Sequence, residues 1–208
     1  MWKFGEPALE ETERYAALVR RVSSLVLSME RPSGAVAELN EALARAAAAL
    51  EALAPADARP RVGAASEGDG RVYLDHARAV GAFNPAFPIY AIAVDGDRAS
   101  GTVTFPVLYE GPPGLVHGGF LGVFFDLVIQ HHNCDAGNAG KTTRLEVRYL
   151  APTPLGKELR FDVERAVDDR RIESTARLFD GDVQCAAGTM RTVAGDRAAL
   201  PPVSPRRS

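Results

Sequence analysis

The stretch GGFLGVFFDLVIQHHN, residues 118–133, decides the fold. Its residues are apolar almost all round, which predicts a helix that is buried on nearly every side. One line along this helix breaks the apolar surface. At about 100° per residue, five positions fall within an arc of roughly 80°; they are Gly119, Gly122, Asp126, Gln130 and Asn133.

This polar line predicts a narrow groove for a ligand along one face of the helix. The two glycines remove bulk, and Asp126 lies two turns from the helix start. An aspartate among Phe124, Phe125 and Leu127 is costly unless it is paired or used. Two interpretations stay open: Asp126 hydrogen-bonds a neighbouring strand or subunit, or it takes part in chemistry.

The start of the helix is the second chemical feature. Gly118 and Gly119 stand where backbone N–H groups point outward and carry the positive end of the helix dipole. Such a place stabilises a developing oxyanion, although a tight turn at the helix start explains the glycines as well. His117, directly before them, caps the helix or touches the ligand.

Strand signals lie on both sides of this helix. Two segments precede it around the turn Asp95-Gly96-Asp97, and four follow it. Along the first of the four, apolar residues alternate with charged ones, which is typical of an antiparallel strand with one buried face. The order predicts an α+β fold with an antiparallel sheet of five to six strands wrapped around a long central helix. The predicted strands are 88–94, 99–106, 142–150, 158–167, 171–179 and 183–193.

The chain before this domain is predicted to be helical. Apolar residues recur at helical spacing over 8–29 and 35–53, and Arg31-Pro32-Ser33-Gly34 separates the two stretches. They form a predicted helical hairpin that packs on the main domain or across subunits, as a lid or an oligomer brace. The predicted division is a helical extension at 1–56, a linker at 57–70, the domain at 71–194 and a disordered tail at 195–208.

Composition excludes several classes of protein. The net charge is −3, which argues against a nucleic-acid partner. No run of 18 apolar residues and no signal-peptide core are present, so we expect a cytoplasmic protein without a membrane span. Cys134 and Cys185 are expected to be free buried thiols. His131, His132 and Cys134 lack the spacing of a metal site, and no metal or other cofactor is expected.

The run from Gly111-Pro112-Pro113-Gly114 to His117-Gly118-Gly119, with an acidic residue nine positions after the histidine, resembles one known family. It is similar to the hotdog-fold acyl-CoA thioesterases of the phenylacetate-degradation, or PaaI-like, type. The resemblance continues through Thr142 and Tyr149 to Pro152-Thr153-Pro154 and covers roughly residues 85–193. It departs from the family at Gly111, where many relatives carry an asparagine.

The resemblance implies a role for each site residue. Asp126 acts as general base or nucleophile on the thioester, and the Gly119 N–H forms the oxyanion hole. Thr142 helps the attacking water and meets Asp126 of the other chain, because the family's active site lies between two subunits of a homo-oligomer. His117 is expected among the catalytic residues, and Gly118 is expected to contact the CoA part of the substrate. The charges of the chain itself offer Lys141, Arg144, Arg148 and Arg171 as candidates for the phosphates of CoA, which enters as part of the substrate. A solvated strand face explains these charges equally well.

The expected function is therefore hydrolysis of acyl-CoA thioesters to free acid and CoA. A thioester is already activated, so one carboxylate and preorganised hydrogen-bond donors suffice. No Gly-x-Ser-x-Gly motif of serine hydrolases occurs in the chain. Two alternatives stay open: a non-catalytic acyl-CoA or lipid-binding hotdog protein, and a hotdog dehydratase or hydratase. Acyl-chain preference and pathway do not follow from the sequence.

Overall fold

The computed structural model describes residues 2–53, 71–135 and 140–194. The predicted linker at 57–70 and the predicted tail at 195–208 lie outside these ranges. The elements in chain order are β1 (Trp2–Glu6), α1 (Glu10–Leu27), α2 (Gly34–Leu53), β2 (Arg71–Leu74), α3 (Val80–Phe83), β3 (Tyr90–Asp95), β4 (Arg98–Thr104), a short 3-10 helix (Val107–Tyr109), α4 (Gly118–Asp135), β5 (Gly140–Tyr149), β6 (Glu158–Asp168), β7 (Arg171–Asp180) and β8 (Val183–Ala194).

The main sheet has six strands in the order β3-β4-β6-β7-β8-β5. Every neighbouring pair in it is antiparallel. The polar turns predicted between consecutive strands make the hairpins β3–β4, β6–β7 and β7–β8. Strand β5, which follows the central helix, lies at one edge of the sheet beside β8. The predicted α+β hotdog architecture is confirmed.

Helix α4 is the buried centre of this architecture. Phe124, Phe125, Val128 and Ile129 are inaccessible to solvent and belong to one core with the inner side chains of the sheet. The helix lies very close to β8 at Gly188, where an added Cβ would come within 2.5 Å of the Phe125 ring. Glycine at this position therefore lets the helix approach the sheet.

Two arginines hold the carboxyl end of α4. Arg165 donates to the carbonyl oxygens of His132 at 2.7 Å and Gly96 at 2.8 Å, and Arg78 donates to that of Cys134 at 3.1 Å. Their charges complement the negative end of the helix dipole. Guanidinium groups from distant parts of the chain thus add to the charge of His132, which lies in the last turn of the helix.

The N-terminal region forms the two predicted helices and one unexpected feature. Strand β1 pairs with β2 in a separate, parallel two-stranded sheet. Helix α1 packs on α3 and the 3-10 helix and buries Ala16 and Arg20. Helix α2 has no buried residue, so its covering stays a prediction. In the described parts of the chain, no helix is long and apolar enough to cross a membrane.

Candidate active site

The polar line of α4 divides into two parts with different surroundings. At its end, Asn133 is fully buried: it accepts a hydrogen bond from the Ser174 hydroxyl at 3.2 Å, and its amide lies 3.5 Å from the Thr192 hydroxyl. Asn133 thus fastens the helix to β7 and β8. Asp126 and Gln130 are only half-buried and lie on the side of β5. The candidate site is restricted to this second part.

Thr142, near the start of β5, joins the two half-buried side chains. Its hydroxyl accepts a hydrogen bond from Gln130 Nε2 at 2.6 Å. Because the amide N–H occupies a lone pair of the hydroxyl oxygen, the hydroxyl proton remains for one acceptor. Met190 Sδ lies 3.7 Å away, and the Asp126 carboxyl is near enough for the Thr142 hydroxyl to lower its pKa. Thr142 and Asp126 lie close together within one chain, and the expected contact of Thr142 with Asp126 of a second chain stays a prediction.

Two opposing effects act on the Asp126 carboxyl. Burial raises its pKa above the ordinary value of 3.8, and the hydrogen bond from Thr142 lowers it. Burial has the larger effect, so the carboxylate is a stronger base than an exposed aspartate. One turn earlier, Gly122 borders open space, since an added Cβ there would meet no atom within 4 Å. The carboxylate therefore lies beside β5 and remains partly accessible to solvent.

The start of α4 differs from the expectation in one bond. His117 Nδ1 accepts the Gly119 N–H at 3.0 Å, so the donor expected for the oxyanion is already bonded. The capping role of His117 is confirmed. Among the residues that the structure describes, the preceding N–H, that of Gly118, has no hydrogen-bond acceptor. The free donor at the helix start is thus one residue earlier than expected.

At two positions of this region, close neighbours leave room only for glycine. An added Cβ on Gly118 would lie 3.0 Å from the Tyr149 hydroxyl, which donates to the Gly118 carbonyl oxygen at 3.0 Å. On Gly111 it would lie 2.8 Å from His117 Cα. The loop therefore has no room for the asparagine that many relatives carry at this position.

A cleft of about 630 Å³ opens beside the helix start. One wall is the loop from Pro112 to Gly119, and the other is the segment from Tyr149 to Thr153. Tyr149 and Pro152 were not among the predicted site residues, and their only signal in the sequence is their place in the family pattern after Asp126.

The predicted phosphate ligands do not join this site within one chain. Thr142 and Val147 both face the helix, because the pairing of β5 with β8 shifts register between Thr142 and Arg144. Alternation on either side of this shift places Lys141, Arg144 and Arg148 on the opposite face of β5. Arg144 is also paired there with Glu146 at 2.6 Å. On their own chain, these three cations point away from Asp126.

The residues considered for a metal also separate. His131 Nδ1 lies 3.1 Å from the Tyr90 hydroxyl, and His132 Nε2 lies 3.1 Å from the Gly96 carbonyl oxygen. Cys134 and Cys185 are buried free thiols, as expected. Over residues 2–53, 71–135 and 140–194, no three side chains of metal-binding type are grouped.

Comparisons with known proteins agree with this architecture. No protein-family model and no curated protein matches the chain. A thioesterase superfamily protein of known crystal structure is 28% identical, with 91% of this chain and 98% of that chain covered and a TM-score of 0.71. The E. coli PaaI protein is 16% identical, over 50% and 82% of the two chains, with a TM-score of 0.47. A hypothetical thioesterase from Streptococcus pneumoniae, solved with coenzyme A, is 20% identical, over 54% and 91%, with a TM-score of 0.49.

The fold and the line of side chains on α4 define a hotdog-fold protein. Its similarity to the first of these structures, a thioesterase superfamily protein, extends over nearly the full length of both chains, and the resemblance to that superfamily is confirmed. The similarity also reaches further than the sequence motifs. Residues 71–208 are about two thirds of the chain, so a match over 91% includes a large part of the N-terminal region.

Proposed function

We propose that the protein hydrolyses acyl-CoA thioesters, with Asp126 as the general base or the nucleophile. The observation that carries this proposal is the placement of Asp126: a half-buried carboxylate, beside the Thr142 hydroxyl, on the open side of an otherwise buried helix. Burial without an opposite charge favours a reactive carboxylate, whereas a purely structural aspartate is usually enclosed by donors.

Thr142 and Gln130 keep this carboxylate ready. The Thr142 hydroxyl donates to Asp126 and holds it in one orientation, and Gln130 fixes the direction of that hydroxyl from the other side. In the general-base route, the carboxylate removes a proton from a water that attacks the thioester carbonyl. In the nucleophilic route, it attacks the carbonyl itself and forms an anhydride that water then hydrolyses. CoA leaves as the thiol in both routes.

The oxyanion hole is assigned to the helix start, in a revised form. The Gly118 N–H replaces that of Gly119 as the proposed donor, since it has no other acceptor among the described residues. The positive end of the α4 dipole adds to its effect. Tyr149 supports this place, because its hydroxyl bond to the Gly118 carbonyl oxygen fixes the neighbouring peptide group.

The remaining parts of CoA are proposed to use a second subunit. The cleft beside Gly118 has a size suited to the pantetheine arm, and Leu150 and Pro152 give it apolar walls. Strand β5 is an edge of the described sheet, and its Leu145 and Tyr149 are 36% and 60% exposed, a surface that pairing with a second copy would cover. We therefore propose a homodimer, or a dimer of dimers, with Lys141, Arg144 and Arg148 meeting the phosphates of a CoA bound across this interface.

One observation favours a second candidate, a non-catalytic acyl-CoA-binding hotdog protein. The His117 ring occupies the Gly119 N–H, which leaves a single free donor for an oxyanion. Such a protein would keep the pocket and lack turnover.

A panel of aliphatic and aromatic acyl-CoAs, assayed for release of free thiol, separates the candidates. We expect repeated turnover on at least one member of the panel. Saturable binding of the same compounds without thiol release would establish the binding protein, and a change in enoyl absorbance without thiol release would establish a dehydratase or hydratase.

A further inference from the structure

The two N-terminal helices each carry a seam of apolar residues with alternating spacings of three and four. This spacing repeats every seven residues and is typical of helices that pack along their length in a coiled coil. The seam of α1 consists of Tyr15, Leu18, Val22 and Leu25, and Met29, just after the end of the helix, continues it. The seam of α2 consists of Val36, Leu39, Leu43, Ala46, Leu50 and Leu53.

The seam of α1 is not the face by which this helix is anchored. Ala16 and Arg20 hold α1 on the domain, and Arg20 donates to the Asn84 carbonyl oxygen at 3.2 Å. The seam lies on a different side, where Leu18 and Leu25 are 49% and 58% exposed. The anchoring of α1 therefore leaves its most apolar face in solvent.

The seam of α2 is equally uncovered. Leu43 and Leu50 are 53% and 61% exposed, and no residue of this 20-residue helix is buried. Helices in water owe most of their stability to packing of an apolar face, and an alanine-rich helix of this length alone is only marginally stable. Helix α2 therefore needs a partner for its seam.

The two seams fit one another. In a single antiparallel register, every residue of the α1 seam faces one of the α2 seam, and the small Ala46 falls opposite Val22. The layers are Tyr15–Leu53, Leu18–Leu50, Val22–Ala46, Leu25–Leu43 and Met29–Leu39. Within one chain the two central leucine layers are not formed, because Leu18 and Leu50 are 49% and 61% exposed and Leu25 and Leu43 are 58% and 53% exposed.

We propose that α2 of one subunit packs along α1 of a second copy, and that the second copy returns the contact. A second copy is the partner that presents both matching seams at once, and a reciprocal exchange closes under two-fold symmetry. The chain also has the necessary reach, since the 17 residues 54–70 between α2 and β2 span up to about 56 Å when extended. This interface is independent of the proposed activity.

Disulfide trapping in the full-length chain tests the exchange. Leu18→Cys and Leu50→Cys together place two thiols in one proposed layer, and the native cysteines are buried. After mild oxidation, we expect a covalent dimer on a non-reducing gel. Leu18→Cys with Ala48→Cys, on the opposite side of α2, is the matched control and should stay uncrosslinked.

A mixture of the two single variants, Leu18→Cys in one chain and Leu50→Cys in another of different length, gives a second reading that needs no doubly substituted chain. Co-expression should yield a covalent heterodimer. An intramolecular disulfide in the double variant would show that each hairpin closes on itself and would overturn the proposal. The absence of any disulfide in both experiments, with the helical circular-dichroism signal retained, would overturn it as well.

Discussion

The hydroxyl of Thr142 is the most informative single group to remove. Thr142→Val keeps the shape of the side chain and deletes the donor to Asp126 and the acceptor for Gln130 Nε2 at 2.6 Å. A hydrogen bond to a charged group is worth about 1.5–3 kcal/mol, so the ionised form of Asp126 loses stabilisation of that order. A step that depends on this orientation should slow by roughly ten- to a hundredfold, since 1.4 kcal/mol corresponds to a factor of ten.

The change should also appear in the pH dependence. Burial raises the pKa of Asp126 and Thr142 lowers it, so removing the hydroxyl leaves burial unopposed and raises this pKa further. The acidic limb of the profile of kcat/KM against pH should therefore move to higher pH in Thr142→Val. Thiol release, measured across the pH range at constant ionic strength, gives both the rate and the pH at which the acidic limb of the profile falls.

Thr143→Val is the matched control. Thr143 is the next residue, exposed, and its hydroxyl donates to the Arg191 carbonyl oxygen at 3.1 Å, away from Asp126. We expect its rate and its pH limb to equal those of the unsubstituted protein. If Thr142→Val behaved like this control in both respects, the hydrogen bond to Asp126 would have no part in activation and the reasoning would be refuted.

Three further predictions address the helix and its charge. Gly118→Ala should lower kcat by about ten- to a hundredfold in the thiol-release assay, which is less than the full loss of an oxyanion donor. The reason is that the new Cβ would lie 3.0 Å from the Tyr149 hydroxyl and would displace it. An unchanged kcat would exclude this peptide group from the site. Arg165→Met should cost about 2–4 kcal/mol in denaturant unfolding, because it removes the bond to the His132 carbonyl at the end of α4 and the bond to the Gly96 carbonyl in the β3–β4 turn. Arg144→Met, which loses an exposed ion pair, should change stability by less than about 1 kcal/mol. Because burial raises the pKa of Asp126 in the folded protein, the contribution of this carboxyl to stability is present below the ordinary pKa of 3.8 and is lost as pH rises through the folded-state pKa. Asp126→Asn should therefore have the higher Tm at neutral pH. Equal Tm values of the two proteins at all pH would contradict the burial effect.

Periodicity was sufficient for the architecture. The apolar run around Phe124 could only form a buried helix, and the alternation in β5 marked a strand with one covered face, so α4 and the six strands begin and end within a few residues of their predicted limits. Local patterns of this kind depend on neighbours in sequence, which is why they are legible without a structure.

Contacts between distant residues were not predictable in the same way. The parallel pairing of β1 with β2 joins segments about 70 residues apart, and nothing in either short segment specifies its partner. The bond between Gly119 and His117 depends on a ring rotamer, which the residue types leave open. The meeting of Thr142 with Asp126 inside one chain follows from the register of β5 on the helix, a tertiary property.

The central claim is that the Asp126 carboxylate activates attack on a thioester, and Asp126→Asn tests it most directly. The amide has nearly the same shape, so the variant should fold and should bind the acyl-CoA that the unsubstituted protein hydrolyses fastest, with a similar dissociation constant. Steady-state thiol release by the variant should have a kcat lower by about a hundredfold or more, the usual scale for loss of a general base. Near-normal kcat in a folded Asp126→Asn protein would contradict the claim and would leave Asp126 as a residue that only joins α4 to β5.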